Sequence, residues 1–466
     1  MKAKSCKNFI IHTGILALQF LVCGSVYISQ IFHLYNFYSV NTAIIIALRW
    51  NYLAQAFGML IFIMLFLTVP KLAGNRISFS LLMAVSTVVL IISLLSNNSI
   101  ISVVLTITYN VIIGLSSGYC LTMLTAHISK RNLGIAFGIA YAFGSVGTYL
   151  ISLLDKGGFL QSRNVIIVYV LINVIILFIL YYSKDIPSAV SEKSLTGAKT
   201  VIYSREKLQF YFLIILLLIL VNTISSLGGS YQVSVLDNAK ANIPFSRAFY
   251  AVGLTCAGLI SRKSRKYLAL TTFASLSYPV VSVILAGDAA VATILLTVSY
   301  IFLGFVSVYR SLSAMDIAAE NNSLLAYACS GLMLSRIVEA SSTWYSNIVT
   351  TDKILSSIIF TVLFALLIFI FFMYFQKAYY PAVSYETSKE DQLLSFSQRY
   401  NMTSREKEVF QLLIKGTPNR EIAALMYITD NTVKFHVKNL LKKTNCLNRV
   451  DLVKLYDTEN NHDINN

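Results

Sequence analysis

The stretch Met402–Tyr456 carries the strongest local structural signals in the chain, and it reads MTSREKEVFQLLIKGTPNREIAALMYITDNTVKFHVKNLLKKTNCLNRVDLVKLY. Near its start, Thr403 and Glu406 have the spacing of a capping box, in which a hydroxyl and a carboxylate satisfy free N–H groups at a helix start. Gly416 suits the left-handed conformation that commonly ends a helix. These signals predict a first helix between Thr403 and Gly416.

Three further helices are predicted in the same stretch. Thr417 is expected to cap the second helix, with Pro418 at its first position, and Thr429 to cap the third. The third helix has an apolar face at helical spacing, formed by Val433, Val437, Leu440 and Leu441. Its lysines recur every four positions and form a basic face: Lys434, Lys438 and Lys442. A short fourth helix is expected at about 448–456.

Two helices joined by a tight turn, the second with outward lysines, are typical of a helix-turn-helix. The stretch resembles the LuxR-type DNA-binding domain over its whole length. The matching residues are Thr403, Arg405, Glu406, Glu408, Val409, Gly416, Asn419, Glu421, Ile422, Ala423, Ile428, Thr432, Val433, Lys434, His436 and Arg449. Pro418 and Thr429 stand where that family often has serine, and Cys446 where it often has valine. The resemblance implies a four-helix domain whose partner is double-stranded DNA.

The exposed face of the third helix is the predicted DNA-binding site. Side chains expected in the major groove are Lys434, Phe435 and Lys438, because lysine can donate to guanine and an aromatic ring can contact a thymine methyl group. Side chains expected on the phosphate backbone are Thr432 at the helix start, with Asn439, Lys442 and Lys443 further along. The alternative is a solvated basic face on a small helical bundle. For His436, packing and phosphate contact both stay open.

The composition of the whole chain indicates a membrane protein. Of its 466 residues, 56% are hydrophobic and 12% are charged, which is too apolar for an ordinary soluble protein. The net charge is +16, but the residues from Gln376 onward carry 13 basic and 11 acidic side chains, so they contribute only +2. The remaining +14 lies in the apolar part, where it indicates membrane topology rather than nucleic-acid binding.

Apolar segments long enough to cross a bilayer recur along residues 1–375. The predicted spans are 9–30, 43–69, 78–97, 100–125, 133–154, 165–183, 208–231, 244–261, 267–287, 289–309, 325–349 and 354–375. They form two halves, 9–183 and 208–375, separated by a basic polar stretch. The basic N-terminus also fits a signal peptide, but no small-residue cleavage site follows, so a first transmembrane helix is predicted. The expected fold class is all-α: a polytopic bundle of about twelve helices with a C-terminal four-helix domain.

The distribution of lysine and arginine predicts the orientation of the bundle. With the N-terminus inside, the inside loops carry seventeen basic residues, including Arg310, and the outside loops carry five. Twelve spans also place the C-terminus inside. We therefore expect a multi-pass protein of the bacterial inner membrane with both termini cytoplasmic, where a DNA-binding domain must lie.

Six plus six helices with a basic central stretch resemble the major facilitator superfamily, in which ligands bind near the midplane between the halves. That family usually carries a Gly…Asp-Arg…Gly-Arg-Arg pattern in the loop between its second and third helices. Here only Gly74 and Arg76 match the pattern, and Asn75 replaces the acid. This departure disfavours active transport but leaves ligand binding open.

Charged residues within membrane spans are costly and are therefore candidates for function. Arg49 lies early in the second span, and Arg336 and Glu339 lie one helical turn apart in the eleventh. The functional interpretation is a ligand site in which Arg49 or Arg336 contacts an anionic group. The structural interpretation is an Arg336–Glu339 pair that stabilises helix packing, with Arg49 at the outer interface.

The part of the chain after the last predicted span divides into three segments. Residues 376–401 are expected to form a flexible linker, 402–457 the DNA-binding domain and 458–466 a disordered tail. The six cysteines lack the spacing of a zinc site, so no metal and no cofactor are expected. No catalytic motif is present, so we do not expect an enzyme.

Together these features predict a membrane-embedded transcription regulator that binds DNA. The resemblance to the LuxR-type domain implies a homodimer on DNA that pairs through the fourth helix, which here offers Val450, Val453 and Leu455. Its signal would be a small molecule or a membrane-protein partner, which the sequence does not identify. The alternative is a secondary transporter with a regulatory DNA-binding appendage.

Overall fold

The structure is a computed structural model that describes residues 2–153, 165–182, 205–238, 242–279, 282, 288–351, 353–379 and 389–462. These residues contain helices and no strand. They divide into two compact units, Met1–Phe375 and Gln376–Asn466, which we describe separately as the membrane unit and the C-terminal unit.

The described residues of the first half of the membrane unit form eight α-helices, of which α2 and α4 are short. They are α1 (Lys2–Leu34), α2 (Val40–Ile45), α3 (Asn51–Thr68), α4 (Pro70–Ala73), α5 (Arg76–Leu95), α6 (Ser99–His127), α7 (Lys130–Leu153) and α8 (Val165–Tyr182). A π-helical turn, Ile46–Trp50, joins α2 to α3. Asparagine side chains cap α5 and α6, since Asn75 and Asn98 accept hydrogen bonds from the first free N–H groups.

In the second half, seven α-helices and a 3₁₀ segment lie within the residues that the structure describes. They are α9 (Arg205–Asn238), α10 (Ile243–Ala248), α11 (Tyr250–Lys263), α12 (Arg265–Ser275), α13 (Ala289–Ala318), the 3₁₀ segment Asn322–Cys329, α14 (Ser330–Thr351) and α15 (Lys353–Tyr379). Most of the basic stretch predicted between the halves, 183–204, lies outside the described residues.

The count of twelve spans is not confirmed. Within the described residues, nine helices are long and apolar enough to cross a membrane. Of the three other predicted spans, 165–183 corresponds to the shorter apolar helix Val165–Tyr181. The predicted span 244–261 is divided between α10 and α11, and in 267–287 the helix α12 ends at Ser275, before residues that the structure does not describe.

Contacts between the two halves include the helix pairs α3 with α14 and α7 with α11, and α6 also packs against the 3₁₀ segment. The second pair is held at very close range by glycine. A Cβ atom on Gly138 would collide with the backbone oxygen of Leu254, and one on Gly134 would collide with Ser261. Because small residues let helix backbones approach in a membrane, this seam packs backbone against backbone.

The C-terminal unit contains five helices: α16 (Lys389–Arg399), α17 (Ser404–Ile414), α18 (Asn419–Leu425), α19 (Asp430–Thr444) and α20 (Arg449–His462). They surround one apolar core whose buried members include Val409, Phe410, Leu413, Ile422, Val433, Leu440 and Leu452. Burial of these side chains is the main source of stability in so small a unit.

Helix α16 corrects the predicted linker. Its Leu393 and Phe396 are 4% and 3% exposed and belong to the core of the C-terminal unit. The ring of Phe396 stacks on Phe410 at 5.1 Å and meets the edge of Tyr456 at 5.1 Å. The prediction of a flexible coil over 376–401 is therefore wrong for Lys389–Arg399, and residues 380–388 lie outside the described residues.

The predicted tail is also partly wrong, because α20 continues to His462. Residues 463–466 lie outside the described residues. The last predicted span, 354–375, is shorter than the helix that contains it, since α15 runs to Tyr379.

Candidate functional site

The start of the C-terminal unit is built as its sequence predicts. Thr403 Oγ1 accepts a hydrogen bond from the Glu406 N–H at 3.3 Å, and Glu406 Oε2 accepts one from the Thr403 N–H at 2.8 Å. The capping box is therefore confirmed. Gly416 has a φ of +81°, which confirms its left-handed position after α17.

The helix-turn-helix consists of α18, a tight turn and α19. The prediction for the start of α18 is wrong: Pro418 is the cap residue, without a side-chain hydrogen bond, and the helix begins at Asn419. The turn passes through Tyr427, whose φ is +56°. Thr429 caps α19 as predicted, because its hydroxyl accepts a hydrogen bond from the Thr432 N–H at 3.2 Å.

The outward face of α19 presents three of the predicted groove residues together. The Lys434 side chain is 60% exposed and its ammonium group lies 2.7 Å from Asp430, one turn earlier. Phe435 is 61% exposed, which is unusual for an aromatic side chain on a small domain. Lys438 is also exposed, and Lys442 continues the same face.

The other predicted backbone contacts differ in accessibility. Thr432 and Asn439 are half-buried. The Lys443 ammonium group is held inside its own domain, since it lies 2.6 Å from Glu406 Oε2 and donates to the Asn401 carbonyl oxygen at 2.6 Å. Lys443 therefore stabilises the domain rather than presenting a free cation.

The pKa of Glu406 is lowered by this arrangement. Burial disfavours the charged form, but hydrogen bonds from the Lys443 ammonium group and the Thr403 backbone and side chain outweigh it. The carboxylate is 4% exposed, so it is the buried centre that joins the start of α17 to the end of α19.

The start of α20 exposes apolar surface. Leu447 is 91% exposed and Val450 is 61% exposed. Val453 and Leu455, which the sequence places in a dimer contact with Val450, instead pack partly against the core of their own domain. Arg449 fixes the helix start, because its Nη2 donates to the carbonyl oxygens of Leu413 at 3.1 Å and Thr417 at 2.8 Å.

The membrane unit encloses a cavity of about 510 Å³ between its two halves. Its walls come from α1, α3 and α7 on one side and from α10, α11, α13 and α14 on the other. Six tyrosines line it: Tyr27, Tyr52, Tyr141, Tyr149, Tyr250 and Tyr300. Its size is that of a small-molecule site.

A buried cluster of charged side chains forms part of the cavity wall. Glu339 Oε1 lies 3.0 Å from Arg310 Nη1, and Glu339 Oε2 lies 2.9 Å from Arg336 Nη1. Arg310 also donates to Asn222 Oδ1 at 3.0 Å, and the Arg336 guanidinium lies over the Tyr52 ring at 4.6 Å. We call Arg310, Arg336 and Glu339 the cavity triad.

The structure places Arg336 and Glu339 in the cavity and Arg49 elsewhere. Arg49 Nε donates to Thr343 Oγ1 at 2.8 Å, and its guanidinium lies over the Trp344 ring at 4.8 Å. It does not line the cavity. Arg49 therefore connects the π-helical turn to α14.

Sequence reasoning missed Arg310. It assigned this residue to an inside loop, but Arg310 is 5% exposed within α13, a helix that continues to Ala318. Removing it from the loop count leaves sixteen inside charges against five, so the charge asymmetry remains. Arg247, predicted in an outside loop, also lines the cavity, as do the tyrosines.

The first half contains a buried polar network separate from the cavity triad. Gln55 Nε2 donates to Asn110 Oδ1 at 2.8 Å, and Asn110 Nδ2 and Asn51 Nδ2 donate to Gln30 Oε1 at 3.2 Å and 3.3 Å. It links α1, α3 and α6 by side-chain hydrogen bonds, as polar groups commonly do in membrane bundles.

A second charged cluster lies at the end of the bundle that is predicted to be cytoplasmic. Arg265 forms a two-point ion pair with Asp316, at 2.7 Å and 2.9 Å. Its Nη2 also donates to the Lys130 carbonyl oxygen at 2.6 Å. Because Lys130 belongs to α7 and Arg265 to α12, this Arg265 cluster bridges the two halves.

A metal site is not apparent in the part of the chain that the structure describes: no group of three or more His, Cys, Asp or Glu side chains there is placed to hold an ion. All six cysteines are free.

Comparison with known proteins assigns the C-terminal unit. Residues 400–456 match the family of bacterial regulatory proteins, luxR family. The C-terminal domain is a LuxR-type helix-turn-helix domain. The nitrate/nitrite response regulator NarL of Escherichia coli K12 is 44% identical over 50 residues, which are 11% of this chain and 23% of NarL. The regulatory protein YhcZ of Bacillus subtilis is 46% identical over 50 residues, 11% of this chain and 23% of YhcZ. The chain thus spans about a quarter of the length of these relatives.

Solved structures similar to the chain are transporters. The Escherichia coli fucose:proton symporter FucP aligns with a TM-score of 0.55 at 14% identity, covering 80% of this chain and 98% of FucP. The proton:xylose symporter XylE aligns with a TM-score of 0.52 at 12% identity, covering 81% and 96%. At such identities the likeness shows the fold alone.

The membrane region therefore has the major facilitator superfamily fold, and both predicted resemblances and the all-α fold class are confirmed. Neither family is enzymatic.

Proposed function

We propose that this protein is a membrane-embedded transcription regulator that senses a signal through residues 1–375 and binds double-stranded DNA through residues 402–457. The observation that carries the proposal is the joint exposure of Lys434, Phe435 and Lys438 on α19, the second helix of the helix-turn-helix in a luxR-family domain. A ring and two cations on one helical face suit a major groove better than bulk water.

The DNA contacts divide by role. Lys434, Phe435 and Lys438 read base edges, with Asp430 holding Lys434 in place until DNA displaces it. Thr432, Asn439 and Lys442 contact phosphates, Thr432 with the help of the free N–H groups at the start of α19. Lys443 is left out, because its ammonium group is held by Glu406.

Binding as a homodimer is supported by the start of α20. Leu447 and Val450 are exposed apolar side chains there. A contact between two copies through them would bury apolar surface and set the spacing of two DNA half-sites. Because Val453 and Leu455 pack on their own domain, we place the contact at the start of the helix.

The signal is a small molecule or a membrane-protein partner, and the cavity supports the first of these. A ligand that binds one arrangement of the halves better than the other shifts their equilibrium. We place the protein in the bacterial inner membrane with both termini cytoplasmic, a topology supported by the excess of inside charges.

The test is genome-wide DNA occupancy of the full-length protein in its native host. The Lys434→Ala/Lys438→Ala variant should lose the discrete peaks of the wild type. The matched control is Lys407→Ala/Lys415→Ala, which removes the same charge from α17 and its C-terminal end and should keep the peaks. Equal maps for the two variants would contradict the proposed recognition face.

A second candidate, a secondary transporter with a regulatory appendage, is favoured by the fold shared with FucP and XylE. The replacement of the acid by Asn75 disfavours it. Uptake of a substrate by cells that express residues 1–375 alone would support this candidate, since no DNA-binding domain is then present.

A further inference from the structure

The charges that line the cavity do not balance. Among the lining residues that the structure describes, Arg247, Arg310 and Arg336 are basic and Glu339 is acidic. Within the cavity triad itself, two guanidinium groups share one carboxylate. The wall therefore carries an excess of positive charge.

Burial makes this excess costly. The side chains of Arg310 and Arg336 are 6% and 14% exposed, and both lie in helices that are long and apolar enough to cross a membrane. An unbalanced charge taken out of water costs several kcal/mol, so buried charges are normally paired. A counter-charge in the cavity would remove that cost.

The hydrogen bonds of the triad are incomplete as well. The Nε–H groups of both Arg310 and Arg336 are buried and have no acceptor. Arg310 Nη1 donates hydrogen bonds to Asn222 and Glu339, and Arg336 Nη1 donates one to Glu339. The protein thus supplies fewer acceptors than the two guanidinium groups can use.

The remaining walls suit an organic body attached to the anionic group. Tyrosine rings offer apolar faces, and Ser145, Thr148 and Ser152 line the same wall. The hydroxyl groups of Thr148 and Ser152 donate to the backbone carbonyl oxygens of Gly144 at 2.8 Å and Tyr149 at 2.6 Å. The Tyr250 hydroxyl already donates its hydrogen bond to Ser307 at 2.6 Å, so it is not counted as a donor to a ligand. The volume of about 510 Å³ holds much more than a halide ion.

We propose that the cavity binds a small organic anion whose carboxylate or phosphate group is held by Arg310 and Arg336. This inference rests on the proposed function, because it names the chemical class of the ligand that the membrane region senses. The anion restores charge balance beside Glu339, while the tyrosines contact its body.

The experiment measures ligand-induced thermal stabilisation of the full-length protein in lipid nanodiscs. The probes are matched pairs that differ in charge: benzoate and benzamide, glucuronate and glucose, glycerol 3-phosphate and glycerol. In at least one pair the anion should stabilise and its neutral partner should not. The carboxylate and phosphate probes distinguish the two sources of negative charge.

Substitutions in the cavity triad should change anion affinity in opposite directions, depending on the charge that they remove. Arg336→Gln should weaken binding of the stabilising anion about tenfold or more, with partial recovery in Arg336→Lys. Glu339→Gln removes a negative charge from the cavity, so the net charge there rises by one, and this variant should bind the anion several-fold more tightly. Arg49→Gln removes the same charge outside the cavity and should leave binding unchanged.

Three results would overturn the inference: neutral partners that stabilise as well as the anions, anions that stabilise in no pair, or equal losses in Arg49→Gln and Arg336→Gln. Genome-wide occupancy separates this test from the proposed function. If the peaks persist while no anion binds, only the ligand class fails. If anions bind and no peaks exist, the regulatory function fails.

Discussion

Helix α16 provides a quantitative test of where the DNA-binding domain begins. Phe396 is 3% exposed and contacts Phe410 and Tyr456, although the luxR-family match starts only at residue 400. Replacing it with alanine removes about 2–3 kcal/mol of side-chain burial. Loss of its ring contacts adds about 1 kcal/mol, and the better helix propensity of alanine returns about 0.5 kcal/mol. We expect a net loss of about 3 kcal/mol.

The assay is urea unfolding of residues 389–462, followed by circular dichroism. A unit of this size has a total stability of about 4–11 kcal/mol, so a loss of 3 kcal/mol is a large fraction. The matched control is Leu394→Ala on the same helix, where the side chain is 44% exposed and the change should stay within about 0.5 kcal/mol. If the two variants differed by less than about 1 kcal/mol, α16 would not belong to the core and the reasoning would fail.

Three further predictions concern the same domain. Lys442→Ala should weaken binding to all DNA sequences and lower the salt dependence by about one ion, whereas Lys443→Ala should leave that slope unchanged and reduce stability; titrations at several salt concentrations compare the two. Because the pKa of Glu406 is lowered in the folded state, its contribution is complete above the unfolded pKa and is lost as the pH falls through the folded pKa. Unfolding measured below about pH 5 should therefore show a loss of stability that Glu406→Gln lacks, and a pH profile unchanged by that substitution would contradict this. Arg449→Leu should cost about 1–3 kcal/mol in urea unfolding, because two carbonyl groups lose their donor, and Arg449→Lys should recover part of it.

The helix-turn-helix could be predicted from sequence because its determinants are local. The capping box at Thr403 and the cap at Thr429 each act within three residues, so spacing alone reveals them. The linker prediction failed for a different reason. Most residues in and around α16 are polar, and the few apolar residues that form its buried face were not recognised as a helical pattern. Leu393, Phe396 and Tyr400 follow helical spacing, and that signal was available in the sequence.

The sequence predicts the Arg336–Glu339 pair, whose members lie one helical turn apart, but not the contact of Glu339 with Arg310, because those partners are distant in sequence. Arg310 precedes Glu339 by 29 positions and follows Asn222 by 88. When spans are predicted from hydrophobicity, a span is taken to end at the first charged residue. The predicted span 289–309 therefore stops just before Arg310, which places that residue in a loop. Only the fold shows that a carboxylate on the next long helix lies within reach of it. Likewise, the sequence does not show that Lys442 is exposed while its neighbour Lys443 is paired, because the partner of Lys443, Glu406, is distant in sequence.

The position of Arg336 connects the cavity to the contact between the halves. Its guanidinium pairs with Glu339 on α14, in the second half, and lies over the Tyr52 ring on α3, in the first. These two helices belong to the contact between the halves. A ligand that binds Arg336 would therefore alter the interaction of Arg336 with Tyr52 across the contact between the halves. It would also change the net charge in the cavity. The Arg265 cluster bridges the halves through α7, which also packs against α11 of the second half. Packed interfaces tend to switch between discrete arrangements rather than deform continuously, so such a change can favour one arrangement of the halves over another. A transcription regulator needs only this shift in population, since its output is DNA occupancy and does not require passage of the ligand across the membrane.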